Sequence, residues 1–338
     1  FPGARNLDQF WEIVARGVDT SRPVPPGRWV LDPDSIRHPV PGTPDRVYTD
    51  RGCFVEDFKL DPSGLNLPPG LAESLDPACQ ILLQAGRDAF VSARTDSIDR
   101  NRVGIVLGNI ALPTESSSAW CEEILTPLLL NQALGRPINR SPLKINPLNR
   151  YVAGLPAGVL AQALGLGGGT ATLDAACASS LYALKLACDE LLAGRTDAML
   201  AGGLSRPDSL YTQMGFSQLR ALATTGRCAP FDESGSGLIV GEGAGVVVLK
   251  RLSDALRDED DIHALIRGIG VSNDLDGNLL SPSSEGQLRA LKLAYAQAGW
   301  TPDMVDFIEC HATGTPVGDA VEFASLSQLW QGSGWRPG

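Results

Sequence analysis

From about residue 170 the chain alternates short apolar runs with amphipathic stretches, and this alternation limits the folds open to it. Thr170–Ala176 reads as a strand and 178–193 as a helix with Leu181, Leu184, Cys188 and Leu191 inward and Gly194 as its stop. Ala198–Ala201 reads as a short strand, and the valine-rich Gly243–Lys250 as a strand buried on both faces. The acidic stretch Asp254–Asp261 makes a solvated connection, after which Ile262–Val271 begins a second half. A helix near 286–298, a strand at Val305–Glu309 and a helix over 318–330 follow. Strands separated by helices imply a parallel sheet covered by helices.

Upstream, 6–17 has Leu7, Phe10, Trp11 and Val14 at helical spacing, with Gly17 as a stop. Seven prolines in 22–44 forbid a regular helix there and predict an extended surface segment. A helix over 78–92 and a buried strand at Val103–Leu107 come next, then a loop over 136–150 carrying Pro137, Pro142 and Pro147. No fixed-period repeat is present, which excludes a solenoid.

Composition excludes several classes. The 28 Lys+Arg, scattered and mostly Arg, against 39 Asp+Glu give a net charge of −11, the wrong balance for a nucleic-acid binder. A 43% hydrophobic and 20% charged chain is that of a folded protein, and no run is long and apolar enough to predict a membrane span. The seven cysteines form no CxxC pair, so neither a disulfide framework nor a zinc site is expected, and the reading is a reducing, cytoplasmic setting. Phe1 is not a natural start and no signal-peptide pattern accompanies it, so the chain reads as processed or as a piece of something longer.

The glycine-rich segments do not bind nucleotides. Gly165-Leu-Gly-Gly-Gly169 is followed by Thr170 where a dinucleotide fingerprint needs its last glycine, and helix rather than strand precedes it. Gly241-Glu-Gly-Ala-Gly245 misses in the same way, and Gly203-Leu-Ser-Arg-Pro207 lacks the closing glycine of a serine-hydrolase elbow. Tight turns and close backbone packing account for them.

A lone cysteine is most often a small buried hydrophobe. Cys177 has a different setting, between a strand end and a helix that starts Ala178-Ser179-Ser180. There the partial positive charge and open N–H groups of the helix favour a thiolate, and small neighbours leave room for a substrate and an oxyanion. That arrangement suits acyl transfer through a thioester. The other six cysteines read as packing residues. Of the three histidines, His311 lies at the carboxyl end of an apolar run and opens the loop Ala312-Thr-Gly-Thr-Pro316, a favourable place for a site residue. His38 and His263 read as structural.

Asp174-Ala-Ala-Cys177-Ala-Ser-Ser-Leu181 resembles the nucleophile segment of the β-ketoacyl synthases (ketosynthases), written DxACSSSL. Pro230-Phe-Asp232 and Gly237 through Gly241-Glu-Gly-Ala-Gly245 to Lys250 are similar to the family's next signature. Glu309-Cys-His311-Ala-Thr313-Gly-Thr315-Pro-Val-Gly-Asp319-Ala-Val-Glu322 resembles its EAHGTGTxxGDPxE, and Phe1-Pro-Gly-Ala4 with Phe10-Trp11 its opening. The nucleophile segment and Gly318-Asp-Ala-Val-Glu322 look most like the ketosynthases of polyunsaturated-fatty-acid and related iterative polyketide synthases, since Ala320 stands where modular synthases usually have proline.

The resemblance implies an α/β, thiolase-like fold, layered αβαβα, with two similar halves: 1–255 holding the nucleophile, and 262–338 holding the first catalytic histidine, cut short. It implies that Cys177 takes an acyl group from the phosphopantetheine of an acyl carrier protein, and that His311 stabilises the enolate formed from a malonyl-type extender. Thr313 and Thr315 would hold the pantetheine arm and Phe231 would line the pocket. No cofactor is bound by the domain itself; the expected partners are the carrier protein, a second copy in a homodimer, and neighbouring domains of a multidomain synthase. Ala312 replaces the family's glycine and Ala178 its serine, both small-for-small. The family's second histidine, a lysine and a glycine-rich loop lie beyond the HGTGT signature, and the chain ends at Gly338 before them, so the expectation is a ketosynthase lacking its first strand and last quarter that does not condense alone. Two other readings stay open. One is a non-catalytic partner of the chain-length-factor type, although such partners typically replace the nucleophile that Cys177 preserves. The other is a thiolase or starter-type enzyme using coenzyme A esters, which lacks an HxTGT loop.

Overall fold

A computed structural model of the chain describes residues 1–93, 98–135, 145–275 and 281–331. It divides into two compact units. The first comprises Phe1–Val30, Cys53–Thr212 and Gly241–Ile262, and the second Leu31–Gly52, Gln213–Val240 and the chain from His263 onward.

In chain order the elements begin with α1 (Leu7–Arg16), the two-residue β1 (Arg22–Pro23), α2 (Pro33–Ile36), β2 (Arg51–Gly52), α3 (Leu71–Ser74), α4 (Pro77–Ser92) and β3 (Val103–Asn109). They continue with α5 (Glu115–Leu134), α6 (Leu155–Leu164), β4 (Thr170–Leu173), α7 (Ser179–Leu192), β5 (Ala198–Ser205) and α8 (Ser209–Gln218). Last come β6 (Gly243–Leu249), α9 (Leu252–Arg257), α10 (Ser284–Ala298) and α11 (Pro316–Trp330).

The first unit is built on a four-stranded sheet in the order β4-β3-β5-β6. β3 pairs in parallel with β4 and with β5, while β6 runs antiparallel to β5. The central β3 is buried from Val103 to Gly108, and its side chains alternate between two cores, as a strand period of two requires. Val103, Ile105 and Leu107 meet Leu82 and Leu83 of α4 and Leu160 and Leu164 of α6. Val106 meets Met199 and Ala201 of β5 and Ala183, Ala187 and Leu191 of α7. The unit is therefore a helix–sheet–helix sandwich, and α7, the helix behind Cys177, is one of its outer layers. Local signals fit: Asn6 accepts the Gln9 N–H at the start of α1, and left-handed Gly17 ends it. Asp76 caps α4 with Pro77 as its first residue.

Several expectations need correction. β4 stops at Leu173 rather than Ala176, because Asp174 turns back to bond the Ala176 N–H and Ala176 takes a left-handed conformation. α7 packs through Ala183, Ala187 and Leu191, and Leu181 points outward at 60% exposure. β6 is antiparallel, and as an edge strand it leaves Val247 exposed rather than buried on both faces. β5 runs on through Gly202 and Gly203 to Ser205, past the expected Ala201. Neither 262–271 nor 305–309 is a strand among the described residues: neither has a ladder partner, and Leu265, Ile266 and Phe307 are exposed. The apolar side of α1 is also open, with Leu7 and Trp11 exposed, although Phe10 stacks on Phe1. The predicted loop 136–150 lies outside the described residues as far as 144, and Pro147–Arg150 forms one 3-10 turn. No helix among the described residues is long and apolar enough to cross a membrane.

Candidate active site

In the first unit, Cys177 occupies the turn from β4 into α7, and its residue is exposed. Four polar contacts shape that turn. Asp174 Oδ1 accepts the Ala176 N–H at 2.9 Å, and its Oδ2 accepts the Ala111 N–H, from the loop after β3, at 2.9 Å. The buried Ser179 hydroxyl accepts the Ala175 N–H at 2.8 Å and donates to the Ala176 carbonyl at 2.6 Å. Between them Ala176 sits at φ 49°, a conformation that costs an L-residue about 1–2 kcal/mol. The N-cap residue of α7, Ala178, supplies no side-chain cap, so the first N–H groups of the helix are not closed off by their own cap. The helix dipole there favours negative charge, which is what a thiolate or a developing oxyanion presents.

Two glycines seat this helix on the sheet. Gly108 of β3 and Gly203 of β5 are register partners. A Cβ at Gly108 would lie 2.5 Å from the carbonyl carbon of Ser179 and 2.6 Å from the Ser180 nitrogen. Only a bare backbone lets the start of α7 come so close.

In the second unit, His311 is exposed and Thr313 and Thr315 are half-buried. The two threonine hydroxyls lie 2.8 Å apart. Two carboxylates from the first turns of α11 hold the loop. Glu322 accepts the N–H of His311 at 2.7 Å and that of Ala312 at 2.9 Å. Buried Asp319 accepts the Gly314 N–H at 3.1 Å and, from another segment, the Phe231 N–H at 2.7 Å. Ala312 is left-handed at φ 49°, so its replacement of the family's glycine is not neutral: it fits the space but strains the backbone. Phe231 is left-handed too and 46% exposed. Gly318 makes room for the threonine pair, since a Cβ there would lie 2.5 Å from Thr315 Oγ1.

The structure thus gathers His311, Thr313, Thr315 and the Phe231 backbone around α11 and sets Cys177 at the head of α7 in the first unit. The six other cysteines are thiols as well, none in a disulfide. Burial pushes the Cys79 thiol up to about 12. Burial and then Asp189 raise Cys188, while burial, Glu322, Glu309 and Asp319 raise Cys310 beside His311. Those three stay protonated and make poor nucleophiles.

Sequence reasoning assigned no role to Asp174, Ser179, Asp319 or Glu322. A signal existed for the last two, acids three apart directly after a Thr-Pro helix start, where carboxylates face unpaired N–H groups. Nothing in the sequence marked Ala176 or Ala312 as left-handed.

The family model described as β-ketoacyl synthase, N-terminal domain, matches residues 1–255, and that described as β-ketoacyl synthase, C-terminal domain, matches 263–334. The chain belongs to the β-ketoacyl synthase family. These ketosynthases are condensing acyltransferases of thiolase-like fold. The chain is 36% identical over its whole length to a phenolphthiocerol/phthiocerol polyketide synthase polypeptide of Mycobacterium bovis, covering 18% of that protein. It is 35% identical over 98% of its length to the PKS-NRPS hybrid synthetase acdB of Aspergillus candidus, covering 13% of it. It therefore spans less than a fifth of these relatives, which are far longer synthases. Among solved structures it superposes on the PfaC keto synthase–chain length factor with a TM-score of 0.93 at 39% identity, over all of this chain and 37% of that one. The oxazolomycin ketosynthase domain OzmH KS7 of Streptomyces albus JA3453 gives a TM-score of 0.82 at 29% identity, covering 98% and 56%.

Proposed function

We propose that this ketosynthase performs acyl transfer followed by decarboxylative condensation within a polyketide or fatty-acid synthase. The Cys177 thiolate attacks the thioester carbonyl of an acyl group on the phosphopantetheine arm of a carrier protein. The carrier thiol leaves and the acyl group remains as a thioester on Cys177. A malonyl-type extender on a carrier then loses carbon dioxide. Its enolate carbon attacks the Cys177 thioester, forming the carbon–carbon bond of a β-ketoacyl product and returning the thiolate. His311 donates a hydrogen bond to the extender's thioester oxygen as it becomes an enolate, stabilising the developing negative charge. Thr313 and Thr315 bind the pantetheine arm through their hydroxyls, and Phe231 lines the acyl pocket.

The observation that carries this reading is Cys177 itself, exposed at the head of α7, whose N-cap residue Ala178 supplies no side-chain cap. It also weighs against a binding-only partner of the chain-length-factor type. That second reading stands because the PfaC structure on which the chain superposes is a keto synthase–chain length factor. We further propose a working homodimer, for which the exposed edge strand β4, with Thr170 and Ala171 open, is the pairing edge. The halves 1–255 and 262–338 are proposed as the functional domains, acting beside other domains of a larger cytoplasmic synthase.

The test is acyl loading. Incubated with an acyl carrier protein bearing a saturated acyl thioester, the chain should gain that acyl mass on the Cys177 peptide, and Cys177→Ala should gain none. An intact wild-type chain that never acylates at Cys177 would overturn the enzyme reading and favour the binding partner.

A further inference from the structure

We infer that Asp174 and Ser179 are positioning residues for the nucleophile, acting together to hold Ala176 in the left-handed conformation that aims Cys177 from the head of α7. The inference rests on Cys177 being the nucleophile. What the two residues hold is the peptide before it. Asp174 Oδ1 takes the Ala176 N–H, and the Ser179 hydroxyl takes up the Ala176 carbonyl, with the Ser179 N–H on the same oxygen at 3.2 Å. Both polar groups of one residue at φ 49° are thus bonded to side chains.

The clamp has external anchors. The second oxygen of Asp174 ties it to Ala111, in the loop leaving the central strand. Ser179 is fixed because its backbone rests on Gly108 with no space for a side chain between them. The turn is therefore referenced to the sheet rather than to itself. Without the clamp an alanine leaves the left-handed basin, since only glycine stays there without penalty. A change of φ and ψ at residue 176 swings the following side chain off the head of α7, where the helix dipole favours the thiolate on which alkylation depends.

A clamp differs from simple destabilisation in one respect: glycine at 176 should remove the need for it. The measurement is the rate of iodoacetamide alkylation at the Cys177 peptide, read by mass spectrometry on the full chain, alongside the urea midpoint. Asp174→Ala should slow alkylation by about 10-fold or more. Asp174→Asn, which keeps one acceptor oxygen, should fall between. The double variant Asp174→Ala, Ala176→Gly should recover to within about 3-fold of wild type. Ser179→Ala, with and without Ala176→Gly, should repeat the pattern. Asp174→Ala alkylating at the wild-type rate would overturn the inference. So would a slow Asp174→Ala that Ala176→Gly does not restore, because the loss would then be one of general structure. If wild-type Cys177 reacts no faster than the exposed Cys121, the nucleophile reading fails instead, and separately.

Discussion

Gly108 is a position at which a single methyl group should disturb the seat of the proposed nucleophile directly. It is the last buried residue of β3, near the strand's carboxyl end, and its missing side chain is the space that the first turn of α7 occupies. A Cβ at 108 would lie 2.5 Å from the Ser179 carbonyl carbon, against about 3.4 Å for an ordinary contact, so the helix must retreat by about 0.9 Å. The obstructing atoms are backbone, so no rotamer change relieves them. Overpacking of this kind costs about 1–3 kcal/mol. A retreat of that size also carries Cys177 away from its place, for a rate loss of order 100-fold. Gly203 provides the internal comparison. Its added Cβ would meet the Ser180 side chain at 3.1 Å and the Gly108 carbonyl at 3.2 Å, contacts that a shift of a few tenths of an ångström relieves. The expectation is that Gly108→Ala lowers the urea midpoint and acyl loading of Cys177 severely, and Gly203→Ala only mildly. Loading and midpoint for Gly108→Ala both within error of wild type would refute this packing argument, as would Gly203→Ala proving the more damaging.

Two other predictions concern different places. Ala312→Gly relieves the left-handed alanine beside His311; after allowing for the greater freedom of glycine in the unfolded chain, it should stabilise by roughly 0.5–1 kcal/mol, visible as a higher urea midpoint. Asp197 is held down to about 2 by its hydrogen bonds to Arg102 and then to Arg251, against 3.8 for an unperturbed carboxyl. Because its folded value is depressed, its contribution is complete above about pH 4 and disappears as pH falls toward 2. Asp197→Asn should therefore flatten the loss of stability across that window, measured by urea unfolding at successive pH values, and an unchanged slope would count against the ion pairs.

How much of this could be read beforehand depended on whether a residue's role lies in its own side chain. Cys177 and His311 could be nominated because a thiol at a strand–helix junction and an imidazole after an apolar run are chemistry one can name. The buried strand β3 was legible because continuous burial writes itself as continuous hydrophobicity. The apolar runs 262–271 and 305–309 misled, because such runs record a propensity for pairing while a strand also needs a neighbour. Leu181 misled for a related reason: α7 lies close to the sheet, so its contact stripe is made of alanines, and the larger leucine is turned out. Asp174, Ser179 and Glu322 act on backbone N–H and C=O groups, and which of those need a partner is settled only when the chain has folded around them. Ala176 and Ala312 run against their own propensity, so no local reading could find them.

Those two alanines have a shared consequence. One directly precedes the cysteine and the other directly follows the histidine, and a carboxylate bonds the amide of each. A glycine in either place would hold that shape without strain and without needing the carboxylate. An alanine has one bonded shape and otherwise falls back into a distant basin. If Cys177 and His311 react as proposed, each follows a latch with a single closed setting, and the chain gives up a little stability at each latch for aim that does not drift.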